Sequence, residues 1–318
     1  MKPALHDIDE RTNLTSSNKF ELLLFRLGEA ANSGNRELFG INVFKVREIL
    51  VMPVITSMAN ASPHVMGVAN IRGQIIPVIN LPSVVGCKPN NGLAILLVTE
   101  FARSTQAFAV EEVSEIVRLE RQQVLSAEGQ GGGLVTSIAR LDGDAENTRL
   151  AQVLDVEQIL QDVMPPERRE TVTANGVKVK LPAGTVVLAA DDSALARSMI
   201  EQGLADMGVA CVMTKTGKEA WEKLQSIHTQ SQAEGKTVRD KVALVLTDLE
   251  MPEMDGFTLT RNIKSDARFR SLPVIIHSSL TGAANEGHVK SVGADAYIAK
   301  FSADELAATL LEVLGRNP

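Results

Sequence analysis

Aromatic residues are scarce in this 318-residue chain: nine Phe, one Trp and one Tyr make up 3% of it. A protein that stacks nucleic-acid bases needs more aromatic faces than that. A basic excess is missing as well. The net charge is −7; residues 1–170 carry 16 basic against 21 acidic side chains, and residues 171–318 carry 16 against 18. Neither half has the positive field of a nucleic-acid or anionic-lipid surface. Cysteine is nearly absent. Cys87 and Cys211 lie far apart, which excludes a disulfide framework or a zinc ligand set and fits a reducing compartment. The five histidines show no ligand spacing, and His277 sits in an apolar run as a core residue would. Long apolar runs are missing too. The longest uncharged stretch, 49–71, is interrupted by Pro53, Asn60, Pro63, His64 and Asn70, unlike a membrane span. The opening residues MKPALHDIDERTN have no apolar h-region of a secretory signal. The expectation is a cytoplasmic protein with no nucleic-acid partner and no membrane insertion.

What is present is a core-forming composition, 44% hydrophobic and 22% charged, in a chain long enough for about two domains. The first half reads as short strands: Phe20–Leu27, Glu37–Val43, Val65–Arg72, Gln74–Leu81, Leu93–Phe101, Ala107–Val110 and Ile116–Leu119. Gly, Asn and Pro punctuate them, as in a small β-barrel or paired barrels. Pro77 lies inside its run, so that strand is expected at an edge or a bulge. Val153, Val156, Ile159, Leu160 and Val163 share one helical face and close the half. Residues 164–183, rich in Pro, Gly and charge, read as a linker. Domain limits of 18–163 and 184–318 follow, with a tail at 1–17.

From Thr185 onward strands alternate with helices. Five βα units in about 130 residues imply a parallel sheet covered on both faces. Thr216–Glu219 and Ser302–Glu305 have the pattern of capping boxes at helix starts, and Asp255-Gly256 reads as the turn into a helix near Phe257. The strands end in a consistent set of polar residues: Asp191-Asp192 after the first, Asp248 after the third, Ser278-Ser279 at the fourth and Lys300 after the fifth. Strand carboxyl ends converge on one edge of such a sheet. Any single aspartate there is explained by helix capping; five groups at consistent ends describe a site. Three carboxylates about 4 Å apart repel one another by about 4 kcal/mol per pair. A hard divalent cation such as Mg²⁺ relieves this, and a lysine beside it suits a phosphoryl group, with a carboxylate as the attacking nucleophile.

These residues carry a resemblance. VVLAADDS (186–193), VLTDLEMPEMDG (245–256), LPVIIHSS (272–279) and GADAYIAK (293–300) resemble the response-regulator receiver family. The resemblance implies a flavodoxin-like (βα)5 domain with Asp248 as phosphoacceptor. Asp191, Asp192, Asp248 and the backbone carbonyl of Glu250 would hold Mg²⁺. Ser278 and Lys300 would contact the phosphoryl group, and Tyr297 would report the active state by its burial. The family pattern has Pro after the lysine, where this chain has Phe301. Glu250 also stands two residues after the acceptor, in the way of an attacking water, which implies slow dephosphorylation.

In the first half, GVANIRGQIIPVINL (67–81) places two strands around Arg72-Gly73, with a permanently charged fork at the turn. No nucleophile–base pair or metal spacing accompanies it, and GQGGG (129–133) lacks the frame of a phosphate cradle. Residues 18–163 resemble the CheW-like coupling domains of bacterial chemotaxis, most strongly at 37–50 and 65–81. That resemblance implies two small five-stranded barrels, contacts with chemoreceptor cytoplasmic tips and with a CheA-type histidine kinase, and a partner-binding role for Arg72. An adaptor regulated by phosphorylation of its receiver is the function expected, with a phosphate sink tethered by the barrel half as the alternative. No transcription factor or enzyme acting on another substrate is suggested.

Overall fold

The computed structural model describes residues 19–31, 33–101, 104–127, 133–142, 148–165, 178–278, 292–300 and 303–316. The helix expected near 283–292 falls outside them apart from Val292, as do Phe301, Ser302, the tail 1–17 and most of the GQGGG run. No helix among the described residues is long and apolar enough to cross a membrane. The chain divides into two compact units.

The first unit opens with β1 (Lys19–Arg26), β2 (Glu29–Ala30), β3 (Leu38–Asn42), β4 (Val46–Val51), β5 (Val65–Ile71), β6 (Gln74–Asn80), α1 (Leu81–Val85) and β7 (Cys87–Lys88). It continues with β8 (Ile95–Phe101), β9 (Ser104–Val110), β10 (Glu112–Glu120), β11 (Val124–Ser126), β12 (Val135–Arg140), β13 (Leu150–Leu154) and α2 (Val156–Val163). One sheet runs β10-β1-β3-β13-β12-β11 and a second β4-β8-β9-β6-β5, while β2 and β7 pair with each other alone. The expectation of five strands in each is corrected for the first sheet, which has six. A short 3-10 turn at Arg121–Gln123 ends β10 and starts β11 as a separate strand.

Successive side chains of a strand point to opposite faces, and β1 is buried on both. Phe20, Leu22 and Leu24 enter a core with Leu38, Leu119, Val124 and Val153. Leu23 and Phe25 enter a second core with Phe39 and Ile41 of the same sheet, Ile79, Leu97 and Phe108 of the other, and Val156, Ile159 and Val163 of α2. That is why KFELLLFR looks nearly continuous rather than alternating. The third core lies in the five-stranded sheet, around Ile76, Val78, Leu96 and Val98. Helix α2 begins later than its apolar spacing suggested. Val153 belongs to β13, and Asp155 caps the helix by accepting the Glu157 and Gln158 N–H groups.

Pro77 is neither at an edge nor in the bulge. Strand β6 lies between β9 and β5. Opposite Pro77 stands Val68, whose N–H and C=O are both used by Thr56, at 2.8 Å each. On its other side the parallel ladder to β9 begins only at Val78. The missing proline N–H therefore falls where no partner waits. The register shift lies nearby, between Val65 and Gly67. Gly67 has φ +141°, and a Cβ there would stand 2.1 Å from the Thr56 carbonyl oxygen.

Glu111 ties two loops of this unit together. Its side chain is 1% exposed, and it accepts the N–H groups of Asn90 and Asn91 at 3.0 and 2.9 Å and the Arg36 guanidinium at 3.2 Å. Burial pushes its carboxyl up, but the two N–H donors and Arg36 outweigh that and hold it below the usual glutamate range.

The second half of the chain, from Val186 on, comprises β14 (Val186–Ala190), α3 (Ala194–Asp206), β15 (Cys211–Thr214), α4 (Gly217–Ala233), β16 (Val242–Thr247), α5 (Gly256–Ser265), β17 (Val274–Ser278), β18 (Ala296–Ala299) and α6 (Ala303–Arg316). Its sheet is parallel throughout, in the order β15-β14-β16-β17-β18. Strand β16, VALVLT, is buried at every position, as a central parallel strand must be. The order reverses at β14, so the crevice outside the carboxyl ends of β14 and β16 is the switch point where such sheets bind ligands. The Thr216 cap forms as expected, accepting the Glu219 N–H, while the Glu219 carboxylate reaches back to the Lys215 N–H.

Candidate functional site

The carboxyl ends of β14 and β16 deliver three acids to the switch point. Asp191 and Asp192 leave β14, and Asp248 leaves β16. Each offers a carboxylate oxygen, and these oxygens lie within 4.8 Å of one another. Asp191 is fully buried, Asp248 is 3% exposed and Asp192 is half-buried. Three anions this close need cations. Lys300, at the end of β18 and 3% exposed, is one. Its Nζ stands 2.8 Å from Asp191 Oδ2 and 3.0 Å from Asp248 Oδ2. The ammonium bridges two of the acids and still leaves the cluster net negative. The donors are all hard oxygens at close quarters, which fits a divalent cation of the magnesium type.

Asp248 is held on every side. The Leu249 N–H donates to its Oδ1 at 2.7 Å, while Lys300 engages its Oδ2. The Asp248 backbone N–H donates to the Ala190 carbonyl, and the buried Thr247 hydroxyl donates to the Asp248 carbonyl at 2.9 Å. The carboxylate is thereby oriented before any ligand arrives, as a positioned nucleophile must be.

Ser278 ends β17, is 1% exposed, and accepts the backbone N–H of Lys300 at 2.9 Å through its carbonyl. Tyr297 is half-buried against a cluster of Leu249, Phe257 and Ile276. Glu250 follows Asp248 in the loop and is half-buried. His277 is 4% exposed within β17, a core position as expected. Arg72 belongs to the first unit. Ile71 and Gln74 pair, leaving Arg72-Gly73 as a two-residue hairpin loop with φ +51° and +84°. Those are the angles of a type I′ turn. The guanidinium donates from Nε and Nη2 to Glu48 Oε2, at 3.2 and 2.9 Å.

Sequence reasoning missed three residues here. Glu48 of β4 is the partner of Arg72 and gives no local signal. Thr247 braces the acceptor's carbonyl. Gly256 was read as part of a turn, and Asp255 does cap α5, accepting the Thr258 N–H. The glycine is also an approach point: a Cβ there would stand 2.1 Å from the Asp248 carbonyl oxygen.

Residues 187–311 match the family described as response regulator receiver domain, and residues 21–164 match the CheW-like domain. The chemotaxis protein CheY1 of Helicobacter pylori is 34% identical over 133 residues, covering 41% of this chain and 98% of that protein. The chain belongs to the response-regulator receiver family, with a CheW-like domain ahead of the receiver. The same pairing runs through two relatives of nearly equal length. Chemotaxis protein CheV3 of Helicobacter pylori is 28% identical over 318 residues, covering 97% of this chain and 99% of CheV3. CheV1 of the same organism is 28% identical over 338 residues, covering 99% of each. The all-β first unit is the CheW-like domain, and the parallel five-stranded second unit is the receiver. The chain is thus of the CheV type of chemotaxis coupling protein. The three carboxylates and Lys300 stand at the switch point of the receiver's sheet.

Proposed function

We propose that this protein is a chemotaxis adaptor whose coupling is controlled by phosphorylation of Asp248. The observation that supports this most is the oriented Asp248 carboxylate, flanked by two further acids and bridged by Lys300, in a chain that joins a receiver to a CheW-like domain. Residues 18–163 are the coupling domain, 164–183 the linker and 184–318 the receiver. The coupling domain meets chemoreceptor cytoplasmic tips and a CheA-type histidine kinase, with Arg72 among its contacts, and the protein works in the cytoplasm at receptor arrays.

In the receiver, a carboxylate oxygen of Asp248 attacks phosphorus, and the bond to the donor breaks with its electron pair leaving on the donor. Asp191, Asp192, Asp248 and the Glu250 carbonyl would hold Mg²⁺, which would supply positive charge for the phosphoryl oxygens. Lys300 turns from the aspartates to those oxygens, and the Ser278 hydroxyl binds another. Tyr297 adjusts its burial as the two strand ends rearrange. Phosphorylation shifts the coupling only to the extent that these contacts favour one conformation. The receiver acts on itself and on no further substrate.

The test is co-sedimentation of the full chain with a receptor signalling fragment and the kinase, with and without a phosphoryl mimic at Asp248. Asp248→Asn should abolish phosphorylation and leave entry into the complex intact. Kinase activity altered by the mimic at constant phosphate flux supports the regulated adaptor. Entry with no such change points to a phosphate sink, and no entry at all rejects coupling.

A further inference from the structure

The loop that begins at Asp248 is fastened to the first turn of α4. Helix-opening N–H groups have no partner inside their own helix. Thr216 and Glu219 satisfy each other's neighbourhood at this start, but the Gly217 N–H leaves the helix and donates to the Met254 carbonyl at 3.1 Å. The approach needs a residue without a side chain. A Cβ at 217 would stand 2.4 Å from the Met254 oxygen and 3.3 Å from the Asp255 oxygen. The next helical residue repeats the grip: Lys218 Nζ lies 3.1 Å from Glu253 Oε2. Glu253 has φ +60°, a left-handed conformation that a glutamate adopts only when its surroundings hold it. Met254 is held once more, by the Asn262 amide of α5 at its sulfur, 3.8 Å away.

The far end of the loop has no slack. Gly256 lies against the acceptor's own carbonyl, and its N–H donates to the Leu249 carbonyl at 3.0 Å. A push on Met254 cannot be absorbed there. It travels back through 249–253, the segment that holds the Glu250 carbonyl. We infer that Gly217 and Lys218 are positioning residues for the phosphoacceptor loop: the first turn of α4 sets where that loop offers its backbone to the divalent cation. The inference rests on the reading that Asp191, Asp192 and Asp248 hold magnesium.

The experiment is calorimetric titration of the full chain with Mg²⁺ alone, with the unfolding midpoint followed at Trp221 as a check on folding. Gly217→Ala should weaken Mg²⁺ binding about tenfold, the usual scale for a group that orients a metal ligand without touching the metal. Gly315→Ala, in open space on α6, should leave it unchanged. Lys218→Glu changes a side chain that is 53% exposed, so it threatens folding least. It should weaken binding about two- to fivefold, the scale of one exposed ion pair, and Glu253→Lys in the same chain should restore it. Wild-type affinity in both Gly217→Ala and Lys218→Glu overturns the inference. So does a loss in Lys218→Glu that Glu253→Lys fails to rescue. Absence of wild-type binding that Asp191→Asn can abolish overturns instead the reading of the site, and the inference with it.

Discussion

Replacing Lys300 by Met keeps most of the side-chain volume at the end of β18 and removes the ammonium that bridges Asp191 and Asp248. The three acids keep oxygens within 4.8 Å of one another. At an effective dielectric of 20, each pair then repels by about 3.5 kcal/mol or more. Removing one partner of a buried ion pair costs about 3–5 kcal/mol, because the remaining charge is stranded. Lys300→Met should therefore lose about that much unfolding free energy in metal-free buffer. Trp221 reports it directly: the chain's single tryptophan packs edge-on against the buried Phe269, with ring centroids 5.3 Å apart. Urea is the denaturant of choice, since a guanidinium salt would screen the charges in question. Magnesium should then narrow the gap. A cation that takes the place of the ammonium binds the variant more tightly than wild type, and at a hundredfold excess over its Kd it returns about 2.7 kcal/mol. Wild-type stability in the metal-free variant would refute the buried-charge argument. A deficit of the same size with and without magnesium would show that lysine and metal do not share these carboxylates.

Two further outcomes follow from the fold and the loop. The Glu111 carboxyl is held below its ordinary value near 4.5 in the folded chain, so the unfolded chain takes up the proton first as pH falls. The stabilisation is complete above that ordinary value and is lost as pH drops through the folded one; Glu111→Gln should cost about 2 kcal/mol at pH 7 and flatten the acid limb of the melting profile below the ordinary value of 4.5. An unchanged acid limb would count against it. For Glu250, the phosphorylated protein should persist well beyond seconds, and Glu250→Ala should shorten its life about tenfold, a barrier change of about 1.4 kcal/mol. Label-decay rates that match in the two proteins would reject a role in excluding water.

The receiver was legible because its chemistry is written at strand ends, where a residue's type and its place in the sheet coincide. Asp191, Asp248, Ser278 and Lys300 each end an apolar run, and a parallel sheet sends all such ends to one edge. The CheW-like domain was less legible past Phe101. Strands β11 to β13 are three to six residues long and carry Ser126, Thr136, Ser137, Arg140 and Gln152 among their apolar positions. Strand β13 finds its place beside β3 by parallel pairing of Ala151 with Leu38, a contact that no local pattern announces. Pro77 misled for a related reason: whether a missing N–H matters depends on Thr56, which occupies the facing Val68. Gly217 and Gly256 are plain in the sequence, but what they approach is not. A glycine shows only that something comes close.

The backbone bond from Lys300 to the Ser278 carbonyl, next to the Ser278–Ala299 pair, makes the ends of β17 and β18 a single part. For anyone rebuilding this receiver, those two positions are not independent design variables. Grafting a serine-bearing strand end from another receiver imports a spacing to the lysine along with the hydroxyl, and a graft that moves either end by one residue carries its partner out of register.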